Sequence, residues 1–139
     1  MGAWGSGPFE NDGAGDLLAS IRAGEFSFDG LAWAFEDDYL EVDGGQIALA
    51  LVDLSLVGLG VRARPATSEL VDLDLAPFLD ELSRERLAWV VAVADRTLSG
   101  SEASELYELW EETDDLDAWL RPAEESVDEL KAYQVRFPA

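Results

Sequence analysis

The sequence predicts an all-α protein with a single compact domain of five or six helices that spans residues 1–139. Apolar residues recur at spacings of three and four over most of the chain, which is the repeat of amphipathic helices. Capping residues, glycine pairs and prolines separate these stretches. Hydrophobic residues make up 48% of the 139 positions, which is enough to build one folded core despite the high charge.

The opening of the chain is glycine-rich and carries two aromatic residues, Trp4 and Phe9. Glycine permits tight backbone paths, and burial of large aromatic side chains can offset the entropy lost on ordering a loop. We therefore expect an ordered N-terminal loop that is anchored by these two rings. Asn11 or Asp12 should then cap the first helix, with Asp12 and Asp16 near the favourable end of its dipole.

Two helices are predicted in the first third of the chain. The apolar stripe of the first comprises Ala14, Leu17, Leu18 and Ile21. The second is predicted over residues 26–40, and Asp43-Gly44-Gly45 is expected to end it as a turn. Its stripe comprises Phe28, Leu31, Ala32, Phe35, Tyr39 and Val42. Trp33 lies off this stripe, so it either packs against the opening loop or is exposed.

Residues 46–61 form the most apolar stretch, and its length favours a helix that is buried on most sides. Because the pattern also alternates around Val52, a strand remains the alternative. Asp53 lies inside this stretch, and an unpaired buried carboxylate is costly. We expect it to meet an arginine, a backbone amide or water, and Arg62 and Arg64 form the basic cluster that could neutralise it or cap the preceding helix.

The second half of the chain predicts further helices. Residues 66–75 should be a connection, with Thr67 or Ser68 capping one short helical turn. From Pro77 to Leu98 we expect one long helix or a kinked pair with a break at Ser83.

Ser99 and Glu102 have the spacing of a capping box, which predicts a helix start. That helix should run to Trp119-Leu120 and end at Arg121-Pro122. Pro122 should then open a last helix with three residues facing inward: Val127, Leu130 and Tyr133.

Two motifs carry a family resemblance. The first is Met1-Gly-Ala-Trp-Gly-Ser-Gly-Pro-Phe-Glu-Asn-Asp12, followed by Asp16; the second is Ser104-Glu-Leu-Tyr-Glu-Leu-Trp-Glu-Glu112, followed by Trp119. Over nearly its whole length the chain resembles an uncharacterised bacterial family known only as a domain of unknown function. It departs from the family pattern at Gly13 and Gly15, where bulkier helix formers are usual. The resemblance implies a small, mostly helical protein and supplies no activity.

Charge and composition argue against several classes of function. The chain has 30 acidic and 9 basic residues, a net charge of −21, and neither histidine nor cysteine. The usual general base, the usual nucleophile and the preferred zinc ligands are therefore missing, so we expect no enzyme and no cofactor. So acidic a surface repels nucleic acid and anionic lipid and attracts cationic partners. Without cysteines or a membrane-spanning run, the cytoplasm is the expected compartment.

The leading interpretation is therefore an acidic protein-binding module, for example an inhibitor or immunity-type partner of a basic protein. Its candidate partner surface comprises Glu108, Glu111, Glu112, Asp114, Asp115 and Asp117. Trp110 and Trp119 lie beside these carboxylates and either contribute to that surface or belong to the core. The alternative is that the negative charge serves only to keep the protein soluble.

Two other functions remain open. Carboxylate clusters could hold Mg²⁺ or Ca²⁺ in a metal-dependent hydrolase. The candidates are Asp12 with Asp16; Asp37 and Asp38 with Glu41; and Glu111 and Glu112 with Asp114, Asp115 and Asp117. The chain could also be a structural homo-oligomer whose exposed aromatic residues pair across a two-fold axis.

Overall fold

Helices dominate the part of the chain that the structure, a computed structural model, describes: residue 9, residues 11–63 and residues 72–136. The α-helices are α1 Asp12–Arg22, α2 Val42–Gly58, α3 Ala76–Glu81, α4 Arg84–Thr97, α5 Glu105–Glu111 and α6 Leu116–Gln134, and one 3₁₀ helix spans Asp29–Phe35. These residues form no strand, and an isolated bridge pairs Leu40 with Ser104. The predicted all-α class is confirmed, although the described residues form seven helical elements, more than the five or six expected.

Helix α1 begins as the sequence predicts. The side chain of Asn11 accepts a hydrogen bond of 2.8 Å from the amide of Ala14, which caps the helix. All four residues of its predicted apolar stripe are buried. Phe9 is partly buried against the core, whereas Trp4 and the rest of the predicted loop lie outside the described residues.

Helix α2 lies at the centre of the fold. It contacts α1, the 3₁₀ helix, α3, α4, α5 and α6, and most of its residues are buried. The prediction of a helix buried on most sides is confirmed, and the strand alternative is wrong. The helix ends at Gly58, so residues 59–61 turn away from it.

The prediction of an α-helix over residues 26–40 is wrong. Only Asp29–Phe35 are helical, as a 3₁₀ helix, and Leu40 pairs with Ser104 in extended conformation. The guanidinium of Arg96 donates hydrogen bonds to three backbone carbonyl oxygens at and just after the end of the 3₁₀ helix. The distances are 3.4 Å to the oxygen of Phe35, 2.7 Å to that of Asp37 and 3.2 Å to that of Asp38. Carbonyls bonded to a side chain on α4 do not continue a helical ladder, so tertiary contacts override the periodicity.

The predicted turn at Asp43-Gly44-Gly45 is also wrong, because these residues form the first turn of α2. The glycines permit close packing there. A Cβ atom at Gly44 would lie 2.7 Å from the carbonyl oxygen of Ala34, and one at Gly45 would lie 3.0 Å from the Cβ of Leu106. The pair therefore allows the start of α2 to press against the 3₁₀ helix and α5.

The predicted kinked pair after Pro77 is confirmed. Pro77 lies in the first turn of α3, and Ser83 caps α4 by accepting a hydrogen bond of 3.1 Å from the amide of Arg86. The predicted caps Thr67 and Ser68 lie outside the described residues.

The predicted boundaries of the last two helices are wrong. Ser104, not Ser99, caps α5, and α6 begins at Leu116 and continues through Pro122. Proline removes one backbone donor from the helix, but Ala118, whose carbonyl loses that donor, is exposed to water. Val127 and Leu130 are buried as predicted, while Tyr133 is half-buried.

Candidate functional site

The predicted partner surface lies at the junction of α5 and α6. Its residues Glu108, Glu111, Glu112, Asp114, Asp115 and Asp117 are all exposed, and we refer to them as the acidic corner. They occupy the last turns of α5, the intervening turn and the first turn of α6. The structure therefore brings the six carboxylates to one end of a helical hairpin.

Thr113 shapes the turn that carries the corner. Its hydroxyl donates a hydrogen bond of 2.7 Å to the carbonyl of Trp110 and accepts one of 3.0 Å from the amide of Asp115. Such a local side-chain bond competes with helix continuation. The chain therefore leaves α5 after Glu111 and re-enters a helix at Leu116, with the acids on the outside.

Trp110 and Trp119 belong to the core beneath the corner, so an exposed aromatic surface is not formed there. They are 8% and 4% exposed, and their rings stack at 6.2 Å with an angle of 9° between the planes. Tyr107 packs edge-on against Trp119 at 6.0 Å. The core alternative for these tryptophans is confirmed, and the corner carboxylates lie beside a packed group of aromatic rings.

The acidic corner takes no part in the ion pairs of the described residues, since none of these salt bridges includes any of its six carboxylates. Glu108 instead accepts a hydrogen bond of 3.1 Å from the hydroxyl of Tyr39. Partial burial raises the pKa of the Tyr39 phenol, and the bond to Glu108 and the charges of Glu108 and Glu105 raise it further.

Glu105 has a structural role that sequence reasoning missed. Its carboxylate accepts a hydrogen bond of 2.8 Å from the amide of Val42, the first residue of α2. The amide of Glu105 donates a hydrogen bond of 2.8 Å to the carbonyl of Leu40, and the amide of Leu40 donates one of 2.8 Å to the carbonyl of Ala103. Since Val42 and Glu105 are 63 positions apart, no local pattern could have paired them.

Asp53 is paired, as predicted. The guanidinium of Arg62 donates a hydrogen bond of 3.1 Å to its carboxylate and also contacts Ser126 at 3.1 Å and Glu129 at 3.5 Å. The Asp53 side chain is only 14% exposed. Burial raises the pKa of Asp53 despite the opposing effect of Arg62, so desolvation outweighs the attraction between the charges. The geometry is that of a structural ion pair joining α2 to α6.

The remaining motif residues are structural or exposed. Asn11 is the buried cap of α1, whereas Asp12 and Asp16 face solvent on that helix. Over the described ranges, no group of three or more His, Cys, Asp or Glu residues is arranged to hold a metal ion. Within the same ranges, no helix is long and apolar enough to cross a membrane.

A second surface feature was not predicted. A cleft of about 520 Å³ lies between the 3₁₀ helix and the start of α4, and we refer to it as the aromatic cleft. Its walls include three rings and three carboxylates, from Phe28, Phe35, Trp89, Asp29, Glu36 and Glu85. The two sides are about fifty positions apart in sequence and the first was expected to be α-helical, so no sequence signal could have located it.

Comparison with known proteins gives the family. No curated protein and no solved structure matches the chain at a significant level. The family model for the domain of unknown function DUF4259 matches residues 2–122, which is most of the chain and includes α1 to α5 with the first part of α6. The protein belongs to the DUF4259 family.

Proposed function

We propose that the protein is a cytoplasmic module that binds a basic partner protein through the acidic corner, as an inhibitor or immunity-type protein does, without catalysis. The observation that carries the proposal is the placement of six exposed carboxylates at one helix junction, with none in a salt bridge among the described residues. Exposed, uncompensated charges of one sign steer a partner of the opposite sign.

Three of the described cations are engaged elsewhere. Arg62 is bonded to Asp53, Lys131 lies 3.0 Å from Asp95, and Arg96 holds backbone carbonyls near the 3₁₀ helix. The corner carboxylates, which are exposed and in none of the salt bridges among the described residues, can meet arginine or lysine side chains of a partner. Arginine would be favoured, because its planar guanidinium forms bidentate hydrogen bonds with a carboxylate.

The rigid base beneath the corner supports the same proposal. The stacked tryptophans and the Thr113 turn hold the two helix ends in place, so the carboxylates need little ordering when a partner arrives. A surface that is already arranged loses less conformational entropy on binding than a flexible acidic tail would.

The test reverses two corner charges. A partner is first captured from the source cytoplasm, and its association is then measured by stopped-flow mixing. Glu112→Lys with Asp115→Lys should lower the association rate more than it raises the dissociation rate. Binding should also slow with salt, because the Debye length falls from about 10 Å at 0.1 M to about 3 Å at 1 M.

A matched control separates the corner from the overall charge. Asp16→Lys with Glu25→Lys changes the net charge by the same amount on and just after α1, where both residues are exposed. The control should slow association less than the corner variant does. Equal effects of the two variants, or association that does not depend on salt, would contradict binding at the corner.

A homo-oligomer is the second candidate, and exposed aromatic residues favour it. Trp33 is 60% exposed and Tyr39 is 39% exposed, and both lie between α1 and α2. Light scattering of the wild type and of Trp33→Ser tests this candidate: a dimer that dissociates in the variant would support it, and a strict monomer would exclude it. The metal-dependent hydrolase gains no support from the described residues, and calorimetry with Mg²⁺, Mn²⁺ and Ca²⁺ tests it directly.

A further inference from the structure

The aromatic cleft has the size of a site for a small ligand or a single side chain. Its volume of about 520 Å³ lies within the range of roughly 300–1,000 Å³ that is usual for small-molecule pockets. It is open to solvent on one side, and its two walls come from the 3₁₀ helix and α4.

Three packed rings, which come from both sides of the cleft, line it. The rings of Phe35 and Trp89 are 5.0 Å apart and nearly perpendicular, at 84°. The ring of Phe28 packs edge-on against that of Trp89, with 6.1 Å between centroids, and also packs against the buried ring of Phe78 at 5.6 Å. Two rings at right angles form a corner of aromatic surface, and the faces of aromatic rings attract organic cations.

The exposed charges around these rings are negative. Asp29, Glu36 and Glu85 line the cleft and are exposed. Arg86 also lines it, but its guanidinium already pairs with the carboxylate of Glu81 at 3.1 Å and lies 3.8 Å from Asp29. The net charge that a ligand would meet is therefore negative.

Arg86 also shows that the aromatic wall accepts a cation. Its guanidinium lies over the ring of Phe28, 5.3 Å from the centroid. This is a cation–π contact within the protein, supported by the neighbouring carboxylate of Glu81. The rings of Phe35 and Trp89, with Glu36 and Glu85 nearby, offer the same combination of groups to a cation from outside.

We propose that the aromatic cleft binds an organic cation, an alkylguanidinium or alkylammonium group, between the Phe35–Trp89 corner and the carboxylates of Glu36 and Glu85. This site is separate from the acidic corner and does not depend on it. The cation can belong to a free amine or to an arginine or lysine side chain of a peptide. The alkyl part would contact the rings and the charged end would face the carboxylates.

Binding of model cations followed by NMR tests the proposal. The probes are butylguanidinium and butylammonium as free compounds, and the peptide acetyl-Gly-Arg-Gly-amide as a source of the same group in a chain. We expect a Kd of about 1 mM for the free cations, as for one cation–π site with exposed charges. The shifted signals should be the Trp89 indole and the amides of residues 28–36 and 85–89.

A peptide that binds much more tightly than the free cations identifies a protein side chain as the source of the cation, and tighter binding of the free cations identifies a small molecule.

Two variants and one control connect the signal to the cleft. Glu36→Gln with Glu85→Gln removes two exposed charges without disturbing the core, and Trp89→Leu removes the largest ring. Each should weaken binding about tenfold. Glu124→Gln with Asp128→Gln removes the same charge from exposed positions on α6 and should change binding less than twofold. Because the glutamine variants alter only exposed residues, they decide the question even if Trp89→Leu fails to fold.

A counter-probe tests the opposite assignment. If Arg86 rather than the carboxylates governed the cleft, the aromatic anion benzoate would bind more tightly than butylguanidinium. That result would overturn the proposal, as would the absence of shifts at about 10 mM cation, a concentration well above the expected Kd. An equal loss of binding in the α6 control would overturn it too, because the cations would then be following the overall charge of the protein.

Discussion

Helix α2 and residues 26–41, which we call the rim segment, are both rich in apolar residues, but they are used in opposite ways. In α2 most side chains are buried, and the helix touches every other helical element. In the rim segment only Phe28 and Leu40 are buried, and Trp33 is 60% exposed. Apolar content therefore led to burial only where other helices surround the chain on several sides. The rim segment covers one edge of the core and leaves a cleft beside it.

The largest expected effect contrasts Leu54 of α2 with Trp33 of the rim segment. Leu54 is fully buried, so Leu54→Ala should lower the free energy of unfolding by about 2–5 kcal/mol. Trp33→Ala should change it by less than about 0.5 kcal/mol, because the ring is mostly in water. Urea unfolding followed by circular dichroism measures both. Equal costs would mean that the rim segment is part of the core in solution.

Much of α2 and α1 could be predicted because local signals and tertiary contacts agree there. Asn11 caps α1 where the pattern places a cap, and the stripe containing Leu17 and Leu18 is buried. Asp53 was expected to need a partner because an unpaired carboxylate in an apolar stretch is costly, and Arg62 provides it. In these places the signals that made prediction possible, the cap and the ion-pair partner, lie within about ten positions of one another.

The rim segment could not be predicted because its structure depends on distant residues. Arg96 binds the carbonyls after the 3₁₀ helix, and Glu105 caps α2 from more than sixty positions away. The same holds for the candidate sites. The acidic corner is continuous in sequence and was predicted as a set, whereas the aromatic cleft requires Phe35 to meet Trp89.

A second comparison concerns the two glycines of α1, of which only one faces α2. A Cβ at Gly13 would lie 2.7 Å from the Cβ of Gln46, whose amide oxygen also accepts a hydrogen bond of 2.9 Å from the Gly13 amide. A Cβ at Gly15 would meet nothing within 4 Å. Gly13→Ala should therefore destabilise the protein by about 1–3 kcal/mol through overpacking.

Gly15→Ala is the matched substitution in the same helix. It should stabilise the protein by about 1 kcal/mol, because alanine has the higher helix propensity and no contact opposes it. Thermal unfolding of the two variants should shift in opposite directions. A stabilising effect of Gly13→Ala would show that Gln46 moves aside and that the α1–α2 contact is looser than the structure indicates.

The smallest expected effect is on the pH dependence of stability. It compares Asp53, the acid in the buried middle of α2, with an exposed acid of the rim segment. Burial raises the pKa of Asp53 above its ordinary value of 3.8, so between that value and the raised one the folded state binds more protons than the unfolded state. Stability from this group is complete below the ordinary pKa and is lost as pH rises through the raised pKa.

Asp53→Asn cannot titrate, so the wild type should lose stability relative to this variant as pH increases from about 4. Asp38→Asn, at an exposed position outside α2, is the control for the removal of one carboxylate. Urea unfolding of the three proteins across this range measures the differences and cancels the titration of the other carboxylates. A wild type that instead gains stability over Asp53→Asn with rising pH would show that attraction to Arg62 outweighs burial, and that the buried acid of α2 is stabilised by its charge.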